Sequence, residues 1–252
     1  MQKITLIILI VCFQFKLEAQ IVNIENQRIV TDSAGWAGYV QFGLTASKDV
    51  NTVVNILSDA QIQLKTKRNL YLFRANSNFS RSGEQTFADN TFVHFRFNRK
   101  LSPLIRWEIF SQWQHNKITG INNRYLAGTG PRFKLLQEKN ANIYLGTAMM
   151  YEQEEENQYD NTVKTFQVTR LSNYVSMSLK VLPNVKFSTT AYYQPLVDQF
   201  NDYRFFAQTV VGLDITKKLS FEVAYKILYD SSPAPTIPST TYAIENFLKW
   251  KF

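Results

Sequence analysis

The chain is poor in the residues that form covalent and metal cross-links. It has one cysteine and two histidines among its 252 residues. A single cysteine cannot form a disulfide within the chain, and so few soft ligands disfavour a structural zinc site. Aromatic residues make up 14% of the sequence, which excludes an intrinsically disordered chain. We therefore expect a folded protein without cofactors, metals or internal disulfides.

Long apolar runs and sustained helical periodicity are also missing. After residue 20, no apolar run reaches the length of about 20 residues that a membrane-spanning helix needs. The basic residues exceed the acidic ones by 28 to 20, giving a net charge of +8, yet they are spread along the chain. Nucleic-acid binding requires a clustered basic patch, so we do not expect a nucleic-acid partner.

The first 19 residues have the pattern of a secretory signal peptide. Lys3 precedes an apolar run at 5–15, and Ala19 offers a cleavage site. The run is too short for a membrane anchor. Cys12 lies within it, next to Val11 instead of the small residue of a lipoprotein signal, and so we expect Cys12 to be removed with the signal peptide.

The rest of the chain alternates between apolar and polar residues with a period of two, which is the period of a β-strand. The last residues show this most clearly, because Tyr242, Ile244, Leu248 and Trp250 share one phase. Proline at position 131, after two nearby glycines, predicts a bulge. The pattern predicts about twelve strands, at residues 36–47, 54–64, 71–79, 93–97, 105–113, 124–136, 143–151, 165–181, 185–193, 203–215, 219–229 and 242–252.

These segments favour a membrane β-barrel over a soluble sandwich. Most are long enough for a tilted strand to cross a bilayer, which takes about 9–11 residues. Short turns at 65–69, 100–103, 137–140, 182–184 and 216–218 alternate with longer predicted loops at 81–88, 152–163 and 231–240, as in outer-membrane barrels. We predict an all-β, up-and-down, antiparallel transmembrane barrel at residues 35–252, preceded by a short periplasmic segment at 20–34.

The alternation also assigns a face to each side chain. Charged residues of both signs fall on the polar phase and are predicted to face the lumen: Arg74, Arg96, Arg106, Glu108, Arg124, Arg132, Glu222, Lys226 and Glu245. Large aromatic residues begin or end the apolar phase and are predicted to form interfacial girdles: Trp36, Tyr71, Tyr193, Tyr203, Tyr229, Tyr242 and Trp250. The surplus of positive charge in this lumen set predicts a mild preference for anionic solutes.

Four motifs resemble the salt-induced outer-membrane protein family, an uncharacterised barrel family. They are residues 35–38 (GWAG), 80–84 (SRSGE), 123–130 (NRYLAGTG) and 169–174 (TRLSNY). Residues 48–51 (KDVN) depart from the Gly-Asn pair that the family often has in its first hairpin. The resemblance implies a barrel in the outer membrane of a Gram-negative bacterium and transfers no catalytic residue. The terminal Phe252, in phase with Trp250, resembles the signal that the barrel assembly machinery recognises.

An outer-membrane phospholipase is the alternative function. Its chemistry needs a serine activated by a histidine. We place His94 in the lumen and His115 on the lipid side, with Ser111 four residues from His115 and too far away for a hydrogen bond along a strand. The acidic stretch at 152–160 is interpreted as a solvated loop, with divalent cations as an alternative ligand. The preferred expectation is a narrow passive channel for small solutes or a closed structural, osmotic-stress barrel.

Overall fold

The computed structural model describes residues 34–48, 52–117, 119–158, 162–233 and 237–251. The predicted signal peptide at 1–19, nearly all of the segment at 20–34, and Phe252 lie outside these residues. Twelve β-strands occupy the described chain: β1 (Gly35–Lys48), β2 (Thr52–Lys65), β3 (Asn69–Ser82), β4 (Gln85–Lys100), β5 (Ile105–Asn116), β6 (Ile121–Gln137), β7 (Ala141–Asn157), β8 (Val163–Leu182), β9 (Val185–Pro195), β10 (Tyr203–Asp214), β11 (Leu219–Asp230) and β12 (Thr240–Lys251).

The strands close into one antiparallel barrel. Each strand pairs with its neighbours in sequence, and β12 returns to pair with β1. This confirms the predicted all-β, up-and-down architecture and its strand number. Where neighbouring strands pair, closure leaves no sheet edge with unpaired backbone groups. Within the described residues, no helix is long and apolar enough to cross a membrane.

Among the described residues, the seam between β1 and β12 is the shortest pairing in the barrel. It consists of Tyr39 opposite Lys251, Val40 opposite Trp250 and Gln41 opposite Lys249. By comparison, β1 and β2 pair along their whole length, from Gly35 opposite Lys65 onward. Fewer ladder hydrogen bonds therefore hold β1 to β12 than hold β1 to β2. Side-chain contacts near the seam are expected to contribute a larger share of the stability of this pairing.

The two ends of the barrel differ in their connections. The end that holds the start of β1 and the end of β12 also holds five connections of two to four residues, and we call it the turn end. We call the opposite end the loop end. Its connections include residues 196–202 and 231–239. The predicted short turns and the predicted long loop at 231–240 are confirmed.

Two of the predicted long loops are wrong. β3 continues to Ser82 and β4 begins at Gln85, so a two-residue turn replaces the loop predicted at 81–88. Gly83 makes this turn possible because its φ of +58° is a conformation that glycine adopts without steric cost. β7 continues to Asn157, so most of the acidic stretch lies in a strand instead of a loop.

The bulge predicted at Pro131 is also wrong. The register between β5 and β6 runs unchanged through Trp107 opposite Pro131. The shift in the β6–β7 ladder comes later, between Lys134 and Leu136. Proline removes a ladder donor at its own position without adding a residue to the strand.

Alternation along the strands separates an outer from an inner wall. On β10, Phe205 and Val211 point outward and are exposed, whereas Arg204 and Phe206 point inward and are buried. The predicted girdle residues occupy the outer wall in two belts. Trp36, Tyr71 and Trp250 lie near the turn end, whereas the other four lie near the loop end: Tyr193, Tyr203, Tyr229 and Tyr242.

The inner wall contains more than the polar residues expected from the alternation. A set of buried apolar side chains, which we call the inner apolar set, also points into the barrel: Leu72, Phe92, Phe110, Leu126, Met150, Tyr174, Tyr192, Phe206 and Leu228. Two inward glycines make room for its rings. A Cβ at Gly128 would overlap Phe110, and a Cβ at Gly146 would overlap Tyr174. The barrel interior is therefore packed with side chains.

Candidate functional site

The inner wall is the candidate functional site, because buried charged side chains concentrate there. Arg74, Arg96, Arg124, Arg132 and Glu108 of the predicted lumen set are buried. The remaining four are half-buried on the same faces of their strands: Arg106, Glu222, Lys226 and Glu245. Lys226 and Glu245 form an ion pair between β11 and β12, with Nζ 2.6 Å from Oε1. Most of the other inner charges gather into three clusters.

Glu108 of β5 is the centre of the first cluster. Asn98 donates a hydrogen bond to its Oε1 at 2.8 Å, and Tyr174 donates one to its Oε2 at 2.7 Å. Arg96 and Arg132 approach the same carboxylate at 3.4 and 3.8 Å. Arg132 also stacks on a ring of the inner wall, with its guanidinium carbon 3.8 Å from the ring centroid of Tyr144. One carboxylate thus binds side chains from β4, β6 and β8.

The second cluster lies beside the seam. Arg74 of β3 forms a bidentate pair with Asp59 of β2, at 2.9 and 2.7 Å. Tyr39 of β1 donates its hydroxyl to Asp59 at 3.3 Å. Lys249 of β12 lies 4.2 Å from the ring centroid of Tyr39 and 2.9 Å from Oε2 of Glu222. The cluster joins β11, β12, β1, β2 and β3, so it bridges the seam on the inside.

The third cluster is the largest and lies toward the loop end. Glu152 of β7 forms an ion pair with Arg124 of β6 and accepts a hydrogen bond from Nη1 of Arg204 at 2.7 Å. Nε of Arg170 lies 4.0 Å from the same carboxylate. Glu154, two residues further along β7, lies 3.2 Å from both Arg124 and Arg204. Three arginines from three strands therefore converge on two adjacent inward carboxylates.

Two further carboxylates complete this loop-end cluster. Asp230, at the end of β11, accepts a hydrogen bond from Nε of Arg204 at 2.7 Å. Asp202, in the connection before β10, accepts one from Nη1 of Arg170 at 2.9 Å. Because these groups are largely removed from water, their mutual attraction is stronger than that of surface pairs and their desolvation cost is higher.

The interpretation of residues 152–160 as a solvated loop is wrong for the part that the structure describes. Glu152, Glu154 and Glu156 are buried on the inner wall. They continue the phase of Met150, and Tyr151 and Gln153 occupy the opposite phase. This alternation is present in the sequence. The stretch was nevertheless interpreted as a loop, because so many of its residues are acidic.

The inner wall is also closer to neutral than the predicted lumen set. The structure adds three basic residues to the inner wall: Arg170, Arg204 and Lys249. It adds five acidic residues there: Asp59, Glu152, Glu154, Glu156 and Asp230. The surplus of positive charge that predicted an anion preference is therefore largely cancelled. The predicted mild preference for anionic solutes therefore has less support from the charges of the inner wall, and it stays a prediction.

Two small voids lie among the described inner side chains. A cavity of about 30 Å³ lies beside Phe110, Leu126 and Tyr192. A second cavity, of about 20 Å³, lies at the loop end. A water molecule needs at least about 10–15 Å³ measured in this way. Each of these two voids therefore has room for only one or two waters.

Neither histidine has the surroundings of a catalytic base. The ring nitrogens of His94 face the amide oxygen of Gln112 at 3.2 Å and Nε of Arg96 at 3.4 Å. The ring of His94 also stacks between Phe92 and Phe110. Nδ1 of His115 lies 2.7 Å from the backbone oxygen of Asn122. Because these nitrogens face groups other than a serine, the geometry gives the phospholipase alternative no support.

In the described residues, no three His, Cys, Asp or Glu side chains converge in a metal-binding arrangement.

The fold and inner wall together define a closed, twelve-stranded, antiparallel β-barrel with a charged and tightly packed interior. The chain belongs to the family described as "Protein of unknown function, DUF481", whose model matches residues 40–248. No curated protein matches the sequence. The salt-induced family named by the sequence motifs stays a prediction.

Solved structures share the fold at very low identity. The chain is similar to the COG4313 outer membrane channel from Pseudomonas putida F1, with a TM-score of 0.54 and 8% identity over 88% of this chain and 97% of that one. It is also similar to the translocator domain of the autotransporter NalP from Neisseria meningitidis, with a TM-score of 0.52 and 9% identity over 90% and 91% of the two chains. At such identities the likeness shows the fold alone.

Proposed function

We propose that the protein is an outer-membrane barrel that acts as a narrow passive channel for small solutes and is closed in the conformation described here. The observation that carries the proposal is the inner wall itself. Charged side chains line it from the second cluster, beside the seam, to the loop-end cluster, whereas the two voids described above have room for one or two waters each. A polar lining that extends between the two ends suits water and ions once the packing relaxes.

The outer wall supports the membrane location. Its exposed apolar side chains are bounded by two aromatic belts, an arrangement typical of barrels in lipid. We place the turn end in the periplasm and the loop end outside, in a Gram-negative bacterium, after removal of the signal peptide. Trp250 points outward on β12 near the turn end. Together with Phe252, Trp250 is proposed to present the assembly signal to the barrel assembly machinery.

A closed structural barrel is the second candidate. The inner apolar set favours it, because apolar packing is a feature of a permanent core more than of a water-filled path. Under this alternative the lumen has no solute, and the protein contributes to the envelope under osmotic stress. The two candidates differ in whether loosening the inner packing produces conductance.

A matched pair of double variants separates the candidates. Tyr192 and Phe206 lie opposite each other on the inner wall of β9 and β10, and Tyr193 and Phe205 lie opposite each other on the outer wall. The inner variant, Tyr192→Ala with Phe206→Ala, enlarges the lumen. The outer variant, Tyr193→Ala with Phe205→Ala, removes equivalent side chains on the lipid side. Both are measured as single proteins in a planar bilayer.

A channel predicts rare, small current steps for the wild type and frequent, larger steps for the inner variant. The outer variant is expected to behave like the wild type. Circular dichroism and heat-modifiable gel mobility establish that each variant is folded. A folded inner variant that stays silent across the voltage range would reject the channel and leave the structural barrel.

A further inference from the structure

The seam between β1 and β12 is paired along only part of its length. Both strands continue toward the loop end beyond Gln41 opposite Lys249. Among the described residues of these strands, no ladder pair joins 42–48 of β1 to 240–248 of β12. We call this unpaired part of the wall the seam gap. Each strand stays paired on its other side, β1 with β2 and β12 with β11, so the gap lies between two well-formed strand edges.

The seam gap lies between the two aromatic belts of the outer wall. On β12 its outward side chains extend from Tyr242 of the loop-end belt to Leu248, two residues before Trp250 of the turn-end belt. Phe42 and Leu44 point outward from β1 along the gap, and both are 61% exposed. Unpaired backbone groups are strongly destabilised in hydrocarbon. A molecule with polar atoms therefore has more to bond in the gap than elsewhere along the outer wall.

Asn246 is an independent sign of a polar ligand at the seam gap. Its side chain lies on the outer wall of β12, between two apolar residues, and is exposed. It forms no hydrogen bond with any described residue. By comparison, the outward Asn173 of β8 accepts a hydrogen bond from Thr147 and donates one to the backbone oxygen of Tyr193. An amide that faces hydrocarbon without a partner is costly, so Asn246 is suited to a ligand with polar atoms.

The inner side of the seam gap is apolar and incompletely packed. Ala243 and Phe247 point inward from β12, Leu57 points inward from β2, and all three are half-buried. Inward side chains of β9 and β10, such as Tyr192 and Phe206, are buried. Part of the apolar surface beside the gap is therefore accessible to a ligand. Together with the outward residues of β1, these side chains give the gap apolar groups on both faces of the wall.

We propose that the seam gap binds a single-chain amphiphile from the bilayer, with its polar head on Asn246 and its apolar chain between the strand edges. The head supplies hydrogen-bond partners to the amide and to backbone groups of the edges. The chain buries apolar surface against side chains on both faces, which is favourable and requires no directional contacts. Because the pairs at 39–41 hold the strands together beside the gap, one chain fits better than two.

An extended peptide is the other kind of molecule that pairs with strand edges. A peptide would insert in the plane of the wall, whereas side chains of a strand stand roughly perpendicular to the sheet. The amide of Asn246 therefore faces the bilayer and not an inserted strand, which favours the amphiphile. The inference rests on the proposed membrane location and is independent of conductance.

Fluorescence quenching tests the site in the full chain. The protein carries Cys12→Ser, so that each introduced cysteine is the only one. It is labelled with a small fluorophore and reconstituted in phosphatidylcholine vesicles, and the probe is stearic acid with a nitroxide on its chain. Phe247→Cys reports the inner side of the gap, and Leu248→Cys reports the outer wall beside it. Ser178→Cys is the matched control, because Ser178 is also inward, half-buried and equally far from the turn end of its strand.

The probe is expected to quench Phe247→Cys saturably and severalfold more than Ser178→Cys. Adding Asn246→Leu to the Phe247→Cys protein is expected to reduce this quenching severalfold, because the head loses its amide partner. Equal quenching of Phe247→Cys and Ser178→Cys would overturn the site. If Leu248→Cys is quenched in that case, the membrane location stands; an unquenched Leu248→Cys would reject the membrane location and the site together.

Disulfide cross-linking tests the gap without a probe. Leu44→Cys and Asn246→Cys would lie opposite each other if the seam register continued, whereas Leu44→Cys and Ile56→Cys are opposite each other in the β1–β2 ladder. A disulfide needs Cα atoms about 4.4–6.8 Å apart, which paired strands provide. The β1–β2 pair is therefore expected to oxidise readily in vesicles, and the seam pair severalfold more slowly. Equal rates would show that the ladder extends along the whole seam and would overturn the proposal.

Discussion

Tyr174 of β8 donates a hydrogen bond to Glu108 of β5 across the barrel interior, with Oη 2.7 Å from Oε2. The two strands are not neighbours, because β6 and β7 lie between them in the wall. The bond therefore links separate parts of the barrel wall, and both of its groups are buried. It shows that the interior is held by side chains that reach across it, in addition to the ladder around it.

Loss of this bond is expected to destabilise the barrel. Tyr174→Phe removes the donor and keeps the ring, so that Glu108 stays buried with one partner fewer. Hydrogen bonds to charged groups contribute about 1.5–3 kcal/mol, and we expect a loss of that size in the free energy of unfolding. Urea titration of the protein in detergent measures it. Tyr125→Phe, which removes a hydroxyl from the outer wall, is the control, and equal losses for both variants would contradict the prediction.

The packing of Tyr174 against Gly146 gives a second prediction. A methyl group at Gly146 would overlap the Tyr174 ring, whereas one at Gly212 would meet Glu222 Cγ at an ordinary 3.5 Å. Gly146→Ala is therefore expected to cost about 1–3 kcal/mol, the usual range for an overpacked core. Gly212→Ala is the matched control because Gly212 also lies in a strand and faces inward. A Gly146→Ala variant as stable as Gly212→Ala would mean that the inner rings move without cost.

The inner apolar set also shows where sequence reasoning was sufficient and where it was not. A period of two predicted the strands and the inward face of residues such as Arg74 and Glu108, because the side-chain direction of a strand is fixed by its geometry. It did not predict that Phe110 and Tyr174 also point inward. An apolar residue among the polar positions of a strand looks like an exception to the pattern and does not indicate an inner apolar contact. The period of two also could not predict which arginine pairs with which carboxylate, because these ion pairs depend on how the strands are staggered around the barrel.

Arg204 is expected to be the most sensitive single charge on the inner wall. It bonds Glu152 and Asp230 at 2.7 Å, so Arg204→Met leaves several buried carboxylates without compensation. Breaking a buried pair by removal of one partner costs about 3–5 kcal/mol. Lys186→Met is the control, because Lys186 pairs with Asp214 at the same 2.7 Å but its side chain is 56% exposed. Exposed pairs contribute about 0–1 kcal/mol.

Urea titration of Arg204→Met and Lys186→Met under identical conditions measures the difference in their free energies of unfolding. Since the shortest contacts of Arg204 and of Lys186 have the same length, a difference in stability reports the burial and the number of partners of Arg204, and not the length of its bonds. An Arg204→Met variant no less stable than Lys186→Met would show that water reaches the loop-end cluster and screens it. That result would also weaken the case for a closed lumen.

We expect closure of the barrel at the β1–β12 seam to depend on Lys249. Its Nζ lies 2.9 Å from Glu222 of β11 and 4.2 Å from the ring centroid of Tyr39 of β1, so one side chain spans three strands at the shortest pairing. Lys249→Met removes both contacts. Together they contribute on the order of 1.4 kcal/mol or more, which corresponds to about a tenfold change in an opening equilibrium. We therefore expect about tenfold faster hydrogen exchange for seam amides near Val40 and Lys249.

The control for the seam is Lys226→Met. Lys226 pairs with Glu245 at 2.6 Å, and that pair joins β11 to β12. Its loss is expected to change exchange locally in those two strands and to leave the amides of β1 unaffected. Mass spectrometry of peptic peptides resolves the three strands. If both variants speed exchange in β1 equally, the seam is held by its three backbone pairs alone, and the inner cluster stabilises the wall in general without a specific role in closure.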